Sequence, residues 1–196
     1  MTISTILFDF VGVLLLPDET HPIDGLARTI NDRIGTVTND GLFQAQIMAE
    51  FHLSEIEFRA LLQSIVDSYT AFQPLWDLLP GLSKKYKLGI INNGTWLTYP
   101  SFNARFGIDR TFTIFLSSAC EGFRKPDHHI YDRACELMKV LPAECLFMDD
   151  SEENVIGARQ AGMQALWWKD PRTGFAQFLE VIGWMGPLPD HAAPGR

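Results

Sequence analysis

The chain has 196 residues, a length that suits one domain with an inserted segment and allows a sizeable buried core. Hydrophobic residues make up 46% and charged residues 20%, which is typical of a globular protein and excludes a disordered chain. The net charge of −8 argues against broad electrostatic binding of nucleic acid, so an anionic ligand would need a local positive pocket.

Cysteine usage and the N-terminal residues indicate a cytoplasmic protein. Cys120, Cys135 and Cys145 show no Cys-x-x-Cys spacing and are odd in number, which favours free buried thiols over disulfides or a zinc site. The start MTISTILFDF lacks basic residues, and Asp9 interrupts its apolar run, so it does not resemble a signal peptide. No stretch approaches the roughly 18 unbroken apolar residues of a membrane span, so we expect no membrane partner.

Five short runs rich in β-branched and aromatic residues predict strands. They lack polar alternation, which is typical of strands buried on both faces in a parallel sheet. In chain order they are Thr5 to Phe10, Leu88 to Asn92, Thr113 to Ser117, Cys145 to Asp149 and Gln164 to Trp168. Helical patterns follow the later strands, and we place Pro126 at the first position of the helix that contains HHIYDRACELMKV. Strands alternating with helices predict an α/β doubly wound domain.

Residues 17–72 interrupt this alternation with three helix-like patterns. These are HPIDGLARTINDRI, LFQAQIMAEF and SEIEFRALLQSIVDSYT, and the last begins with Ser54 and Glu57 in capping-box spacing. We interpret residues 17–72 as a helical cap that covers a pocket. Residues 1–16 and 73–185 would then form the core, and residues 186–196 an irregular tail.

Polar side chains follow four of the predicted strands, at the sheet edge where open parallel sheets bind ligands. They are Asp9 after the first strand, Asn92 and Asn93 with Gly94 after the second, Arg124 and Lys125 after the third, and Asp149, Asp150 and Asn154 after the fourth. Each has a purely structural interpretation, as a turn, a helix cap or a solvated flank. Their convergence favours a shared site.

The chemistry of these groups suits a phosphorylated substrate. Carboxylates form a hard oxygen site for Mg²⁺, and a lysine with amide donors can neutralise and orient a phosphoryl group. A carboxylate such as Asp9 can attack phosphorus and form an aspartyl-phosphate. The sequence therefore predicts a magnesium site beside a phosphate site.

The motifs FDFVGVLL, LGIINNG, GFRKPDHHIYDRA and LFMDDSEENVIGARQAGM resemble those of the haloacid dehalogenase-like hydrolase superfamily over most of the chain. The resemblance is strongest to small-capped phosphatases whose last motif carries paired aspartates. It implies a Rossmann-like parallel sheet with strand order 5-4-1-2-3 and a small helical cap inserted after the first strand. It also implies Mg²⁺ as cofactor and a small phosphorylated metabolite as substrate.

Carried over by position, the resemblance implies a role for each site residue. Asp9 matches the nucleophile, and Lys125 matches the lysine that bridges nucleophile and phosphate. Phosphate binding falls to Asn92, Asn93, Gly94 and Lys125. The implied metal ligands are Asp9, the backbone carbonyl of Val11 and Asp150. Asp149 and Asn154 match supporting positions.

Val11 departs from the family pattern, because phosphatases carry a second Asp there as general acid and base. Loss of such a group typically slows catalysis about 10²–10⁴-fold. Good leaving groups, such as that of a sugar 1-phosphate, would suffer least.

Two alternatives follow from Val11. A metal-independent 2-haloacid dehalogenase needs no second Asp, although Asp149 and Asp150 argue against it. A catalytically silent relative that binds a phosphorylated ligand or a protein is the other. The apolar residues of the insertion also suggest a homodimer.

Overall fold

The computed structural model describes residues 2–186, and strands and helices alternate along them. The strands are β1 (Thr5–Phe8), β2 (Leu15–Pro17), β3 (Tyr69–Ala71), β4 (Lys87–Asn92), β5 (Ile114–Ser117), β6 (Cys145–Asp149) and β7 (Gln164–Trp167). The helices are α1 (Gly25–Ile34), α2 (Asp40–Glu50), α3 (Glu55–Asp67), α4 (Gln73–Trp76), α5 (Leu79–Leu82), α6 (Tyr99–Phe106), α7 (Ile108–Thr111), α8 (Ser118–Glu121), α9 (His128–Met138), α10 (Glu152–Gln160) and α11 (Pro171–Val181).

Five parallel strands form the main sheet in the order β5-β4-β1-β6-β7. Counted among these five strands alone, this is the predicted order 5-4-1-2-3 read from the opposite edge. The predicted α/β Rossmann-like fold class is thus confirmed. β1 lies at the centre, and its residue Leu7 pairs with Gly89 on one side and Phe147 on the other.

Both faces of the sheet are buried, which explains the unbroken apolar runs. Successive side chains of a strand point to opposite faces. Ile6 and Phe8 accordingly join one hydrophobic cluster with α11 and the inserted helices, whereas Leu7 joins a second cluster with α9 and α10. The inserted helices and the sheet share the first cluster, so the insertion packs directly on the core.

The insertion is bracketed by a two-stranded antiparallel sheet that the sequence did not predict. β2 pairs with β3, with Leu15 opposite Ala71, and α1 to α3 lie between them. The predicted helix over residues 54–70 is wrong at its end, because Tyr69–Ala71 pair with β2 and the helix stops at Asp67. Its start is confirmed, since Ser54 and Glu57 form the capping box.

Three smaller expectations also need correction. β1 ends at Phe8, and Asp9 follows it, with its N–H donating to Met148 O at 2.7 Å. Pro126 is not the first helical residue, because α9 begins at His128 and Asp127 caps it by accepting from the His129 N–H at 3.1 Å. Cys135 and Cys145 are buried free thiols with their sulfurs 3.8 Å apart, but Cys120 is exposed.

Within residues 2–186, no helix combines the length and apolar character needed to cross a membrane. The predicted irregular tail, residues 186–196, lies outside the described residues except for Gly186.

Candidate active site

The ammonium group of Lys125 is the centre of the polar site at the carboxyl edge of the sheet. Its Nζ donates to Asp9 Oδ1 at 2.5 Å, to Asp149 Oδ2 at 2.7 Å and to the backbone carbonyl of Ile91 at 2.7 Å. The Lys125 and Asp149 side chains are 1% and 0% exposed, and that of Asp9 is 11% exposed. The structure therefore brings together residues that are 116 positions apart in the chain, as the strand-end argument predicts.

The backbone of Lys125 is fixed by Asn93. Asn93 Oδ1 accepts from the Lys125 N–H at 2.8 Å, and Asn93 Nδ2 donates to the Lys125 carbonyl at 3.0 Å. The peptide bond from Lys125 to Pro126 is cis. Gly157 of α10 lies so close that an added Cβ would be 2.6 Å from the Pro126 carbonyl oxygen, so only glycine fits this contact.

Three carboxylates converge beside the lysine. Oxygen atoms of Asp9, Asp149 and Asp150 lie within 4.8 Å of one another. Asp149 is held in place, because its Oδ1 accepts from the Ser151 N–H and from Asn154 Nδ2, both at 2.9 Å. Asp150 is exposed, and it approaches Gly12 so closely that a Cβ at Gly12 would overlap its carboxylate.

Burial raises the pKa of Asp9 from 3.8 to about 7. The ammonium of Lys125 lowers the pKa of Asp9, whereas Asp149 and Asp150 raise it further. Burial disfavours the charged form of Lys125, but the two carboxylates it contacts outweigh this effect and raise its pKa. Lys125 is therefore cationic at neutral pH, whereas burial disfavours the ionised form of Asp9.

A cavity of about 280 Å³ opens above these residues, between the sheet edge and the inserted helices. Asp9, Val11, Asn92, Lys125 and Asp150 line it from the core side. The inserted segment contributes Asn31, Ile34, Gly35, Ile65 and Tyr69. Predicted site residues thus line one wall, and the insertion supplies the opposite wall.

The structure assigns contacts to Asn93 and Gly94 that differ from direct phosphate binding. Asn93 uses its amide on the backbone of Lys125, as described above. The Gly94 N–H donates to Ser118 Oγ at 2.9 Å, and the buried Gly94 does not line the cavity. Asn92 and Asn93 both line the cavity, and within residues 2–186 the side chain of Asn92 makes no hydrogen bond.

Sequence reasoning missed Asn31 and Tyr69. Asn31 Nδ2 lies 3.0 Å from the Tyr69 hydroxyl, although the two residues are 38 positions apart. Helical periodicity shows which residues of α1 share a face, but it does not show which face meets the core. A polar residue within an apolar helix face was the only available signal.

The donor set fits Mg²⁺. This ion prefers a few carboxylate oxygens and completes its shell with water or phosphate. Asp9 and Asp150 offer such oxygens beside an open cavity, and Asp149 adds negative charge behind them. Within the described residues nothing donates to the backbone carbonyl of Val11, which leaves that carbonyl free as a third ligand.

Comparison with known proteins agrees with this geometry. The profile of the haloacid dehalogenase-like hydrolase family matches residues 3–162, and the chain belongs to this family of hydrolases. Its catalytic chemistry is therefore hydrolysis.

Two named phosphatases are similar in sequence. Phosphatase MT3486 of Mycobacterium tuberculosis is 30% identical over 188 residues, covering 84% of this chain and 87% of the relative. D-ribitol-5-phosphate phosphatase of Bacteroides thetaiotaomicron is 26% identical over 209 residues, which cover 92% of this chain and 98% of the relative.

Solved structures share the fold. A variant of a HAD family enzyme from Bacteroides thetaiotaomicron, in complex with magnesium and inorganic phosphate, aligns with a TM-score of 0.69 at 22% identity, covering 84% of this chain and 93% of that one. A 2-haloacid dehalogenase from Pseudomonas syringae aligns with a TM-score of 0.67 at 17% identity, and the alignment covers 94% of this chain and 100% of the dehalogenase. At these identities the two structures show the shared fold alone.

Proposed function

We propose that this hydrolase is a Mg²⁺-dependent phosphomonoester phosphatase that acts on a small phosphorylated metabolite. The observation that carries the proposal is the Lys125 ammonium held between Asp9 and Asp149, with Asp150 beside them. The similarity to two phosphatases supports phosphoryl rather than halide chemistry.

The reaction would begin with attack of an Asp9 oxygen on phosphorus, which breaks the P–O bond to the leaving group and forms an aspartyl-phosphate, while the departing alkoxide takes its proton from water. A second water then attacks the phosphorus of the aspartyl-phosphate, which releases inorganic phosphate and restores the Asp9 carboxylate. Lys125 orients Asp9 and offsets the charge of the phosphoryl group, and Asn92 donates to a phosphate oxygen. Asn93 and Gly94 position the loops that carry these two residues. Asp149 and Asn154 support the site from behind.

The metal would be held by Asp9, Asp150 and the Val11 carbonyl. When bound, Mg²⁺ supplies charge neutralisation for the transferring phosphoryl group. The side chain of Val11 cannot protonate a leaving group. We therefore propose a slow enzyme that favours leaving groups able to depart without a proton from this position.

A panel of phosphorylated metabolites, assayed for phosphate release with and without Mg²⁺, tests the proposal. We expect Mg²⁺-dependent release by the wild type, no release by Asp9→Asn, and release by Val11→Asp about 10²-fold faster on alkyl phosphates. Release that persists without Mg²⁺ or in Asp9→Asn would contradict the proposal.

The second candidate is a 2-haloacid dehalogenase, favoured by Val11 because a halide leaves without a proton. Chloride release from 2-chloropropionate in EDTA, absent in Asp9→Asn, would establish it. If neither product forms while Mg²⁺ and phosphate still bind, the chain is a silent relative.

The domain organisation is also a proposal. We propose that residues 17–72 form the cap of a small-capped family member, and that residues 1–16 and 73–185 form its core. Leu42 and Ile56 of the cap helices are 63% and 81% exposed, which supports a homodimer through the cap. Light scattering of the purified chain tests the dimer.

A further inference from the structure

The cap-side wall of the cavity has a composition that selects among phosphate monoesters. We propose that this wall, formed by Asn31, Ile34, Ile65, Tyr69 and Phe102, binds an uncharged, hydroxylated leaving group and excludes one that carries a second negative charge. The inference rests on the proposed phosphatase function and names the substrate class of the same cavity.

Asn31 and Tyr69 form the polar part of the wall. The Tyr69 hydroxyl lies 3.0 Å from Asn31 Nδ2 and 3.2 Å from Asn31 Oδ1, and Tyr69 is 8% exposed. An amide has two N–H donors and a hydroxyl has two acceptor positions, so this mutual contact leaves unused donor and acceptor capacity on two residues that line the cavity. A hydroxyl of the substrate, which both donates and accepts, would satisfy that capacity.

Apolar side chains surround this pair. Ile34 and Ile65 come from α1 and α3, and Phe102 comes from α6 of the core. The cavity volume of about 280 Å³ is near the lower limit of roughly 300–1,000 Å³ for small-molecule pockets. A phosphoryl group and a leaving group of a few carbon atoms fit this space.

The wall contains no cation that could bind a second anionic group. Among residues 2–186, the charged residues that line the cavity are Asp9, Asp150 and Lys125, and the ammonium of Lys125 already makes three hydrogen bonds.

Within residues 2–186 no arginine lines the cavity, and three arginines each have another partner, which for Arg124 is the carbonyl of the cavity-lining Gly35. Arg28 donates to the Ile23 carbonyl at 2.8 Å, Arg33 pairs with Glu50 at 2.6 Å, and Arg124 donates to the Gly35 carbonyl at 3.1 Å. A carboxylate on the leaving group would lose its water near Asp9 and Asp150 and would find no cation to replace it. Binding of such a substrate is therefore strongly unfavourable.

A matched pair of ligands tests the inference. Glycerol 3-phosphate and 3-phosphoglycerate share a carbon skeleton and differ in a hydroxymethyl group against a carboxylate. Binding of each to Asp9→Asn with saturating Mg²⁺ is measured by calorimetry, and turnover of each is measured with the wild type. We expect at least tenfold tighter binding and tenfold higher kcat/KM for glycerol 3-phosphate.

Variants separate recognition from folding. Tyr69→Phe and Asn31→Leu should raise KM for glycerol 3-phosphate about tenfold with a smaller change in kcat. Tyr86→Phe, outside the cavity, should change neither. Ile34→Lys should narrow or reverse the preference by supplying a cation for the carboxylate.

The outcomes distinguish the two proposals. Equal or tighter binding of 3-phosphoglycerate, or unchanged KM in both Tyr69→Phe and Asn31→Leu, would overturn the inference. Selective binding of glycerol 3-phosphate by Asp9→Asn, without phosphate release by the wild type from any ester, would overturn the phosphatase function and leave the recognition intact.

Discussion

Asp9 illustrates at the residue scale how a reactive carboxylate destabilises the protein that carries it. Its pKa in the folded state is about 7, against the ordinary aspartate value of 3.8 that holds in an unfolded chain. A raised folded-state pKa stabilises the fold below about pH 4, and this contribution is lost as the pH rises through 7. The apo protein therefore holds Asp9 ionised only at a cost.

The prediction concerns Asp9→Asn in EDTA. Its free energy of unfolding, relative to the wild type, should increase between pH 5 and pH 8 by roughly 2–3 kcal/mol, since about two pH units separate pH 5 from the folded-state pKa. Urea denaturation at several pH values measures this. A pH-independent difference between the two proteins would show that Asp9 is not perturbed by its surroundings.

Gly12 determines whether Asp150 can approach the site. Its φ of +101° disfavours other residues, and a Cβ there would overlap the Asp150 carboxylate. We expect Gly12→Ala to weaken Mg²⁺ binding at least tenfold in calorimetry, because Asp150 must move away.

Gly122→Ala is the matched control for this variant. Gly122 also has a positive φ, of +81°, but nothing lies within 4 Å of the position that an added Cβ would take. The Gly122→Ala variant should lose about 1 kcal/mol of unfolding free energy through backbone strain and keep the Mg²⁺ affinity of the wild type. If both variants lost Mg²⁺ affinity equally, backbone strain rather than displacement of Asp150 would explain the loss.

Sequence reasoning brought the candidate site residues together but did not identify their neighbours. Asp9, Lys125 and Asp149 could be predicted because the ends of parallel strands must meet at one sheet edge. Asn31 and Tyr69 could not, since their contact depends on how α1 docks against β3. The engagement of Asn93 with Lys125 was equally invisible, because turn propensity does not reveal a partner 32 positions away.

At the scale of elements, Asp40 joins the inserted segment to the loop that follows β4. This first residue of α2 accepts from the Thr95 hydroxyl and from the Trp96 N–H at 3.1 Å. Ser118 Oγ donates to the Val37 carbonyl at 2.6 Å just beside it. The segment between α1 and α2 is thereby tied to the loops that follow β4 and β5.

We expect Asp40→Ala to loosen this connection. Amide hydrogen exchange should accelerate in residues 35–41, and KM should rise severalfold, while the free energy of unfolding falls by only about 1 kcal/mol. Asp132→Ala, an exposed acid on α9, is the control and should behave as wild type. Unchanged exchange in Asp40→Ala would show that the contact does not hold the cap.

The sequence missed the short helices α4 to α8, and it missed two strands whose formation depends on a distant partner. β2 and β3 have three residues each, too few for a periodic pattern, and they exist because they pair with each other. The long helices and buried strands were predictable because their apolar periodicity is local. The start of α9 was not predicted correctly, because Asp127 caps the helix and leaves Pro126 outside it.

At the scale of the whole molecule, the site creates a charge imbalance that a divalent cation would balance. Asp9, Asp149 and Asp150 face a single Lys125, which leaves two negative charges in a largely buried place. Mg²⁺ at 100 times its Kd should add about 2.7 kcal/mol to the free energy of unfolding. For a chain of this size the corresponding rise in Tm is roughly 5–10 °C.

The control for this thermal shift is a second metal-binding cluster. Asp127, His128 and His129 are exposed and offer ligands within 4.8 Å of one another. Asp150→Asn should lose most of the Mg²⁺-induced shift, whereas Asp127→Asn should keep it. The opposite result would place the stabilising ion at the surface cluster instead of the active site.

The class of the architecture was predictable from the local patterns of the five buried strands and the helical insertion, whereas the strand order was predicted only through the resemblance to the family. The packing of the insertion was not. It shares one hydrophobic cluster with the sheet, and that continuity arises only after folding.

The three hydrogen bonds of Lys125 have a mechanical consequence. Its ammonium touches the Ile91 carbonyl in β4, the acid that follows β1 and the acid that ends β6, and so it clamps three adjacent strands at one point. A core substitution that slightly changes the spacing or twist of these strands would displace the Asp9 carboxylate by a similar fraction of an ångström. Such a substitution would lower the turnover rate before it measurably lowered the melting temperature.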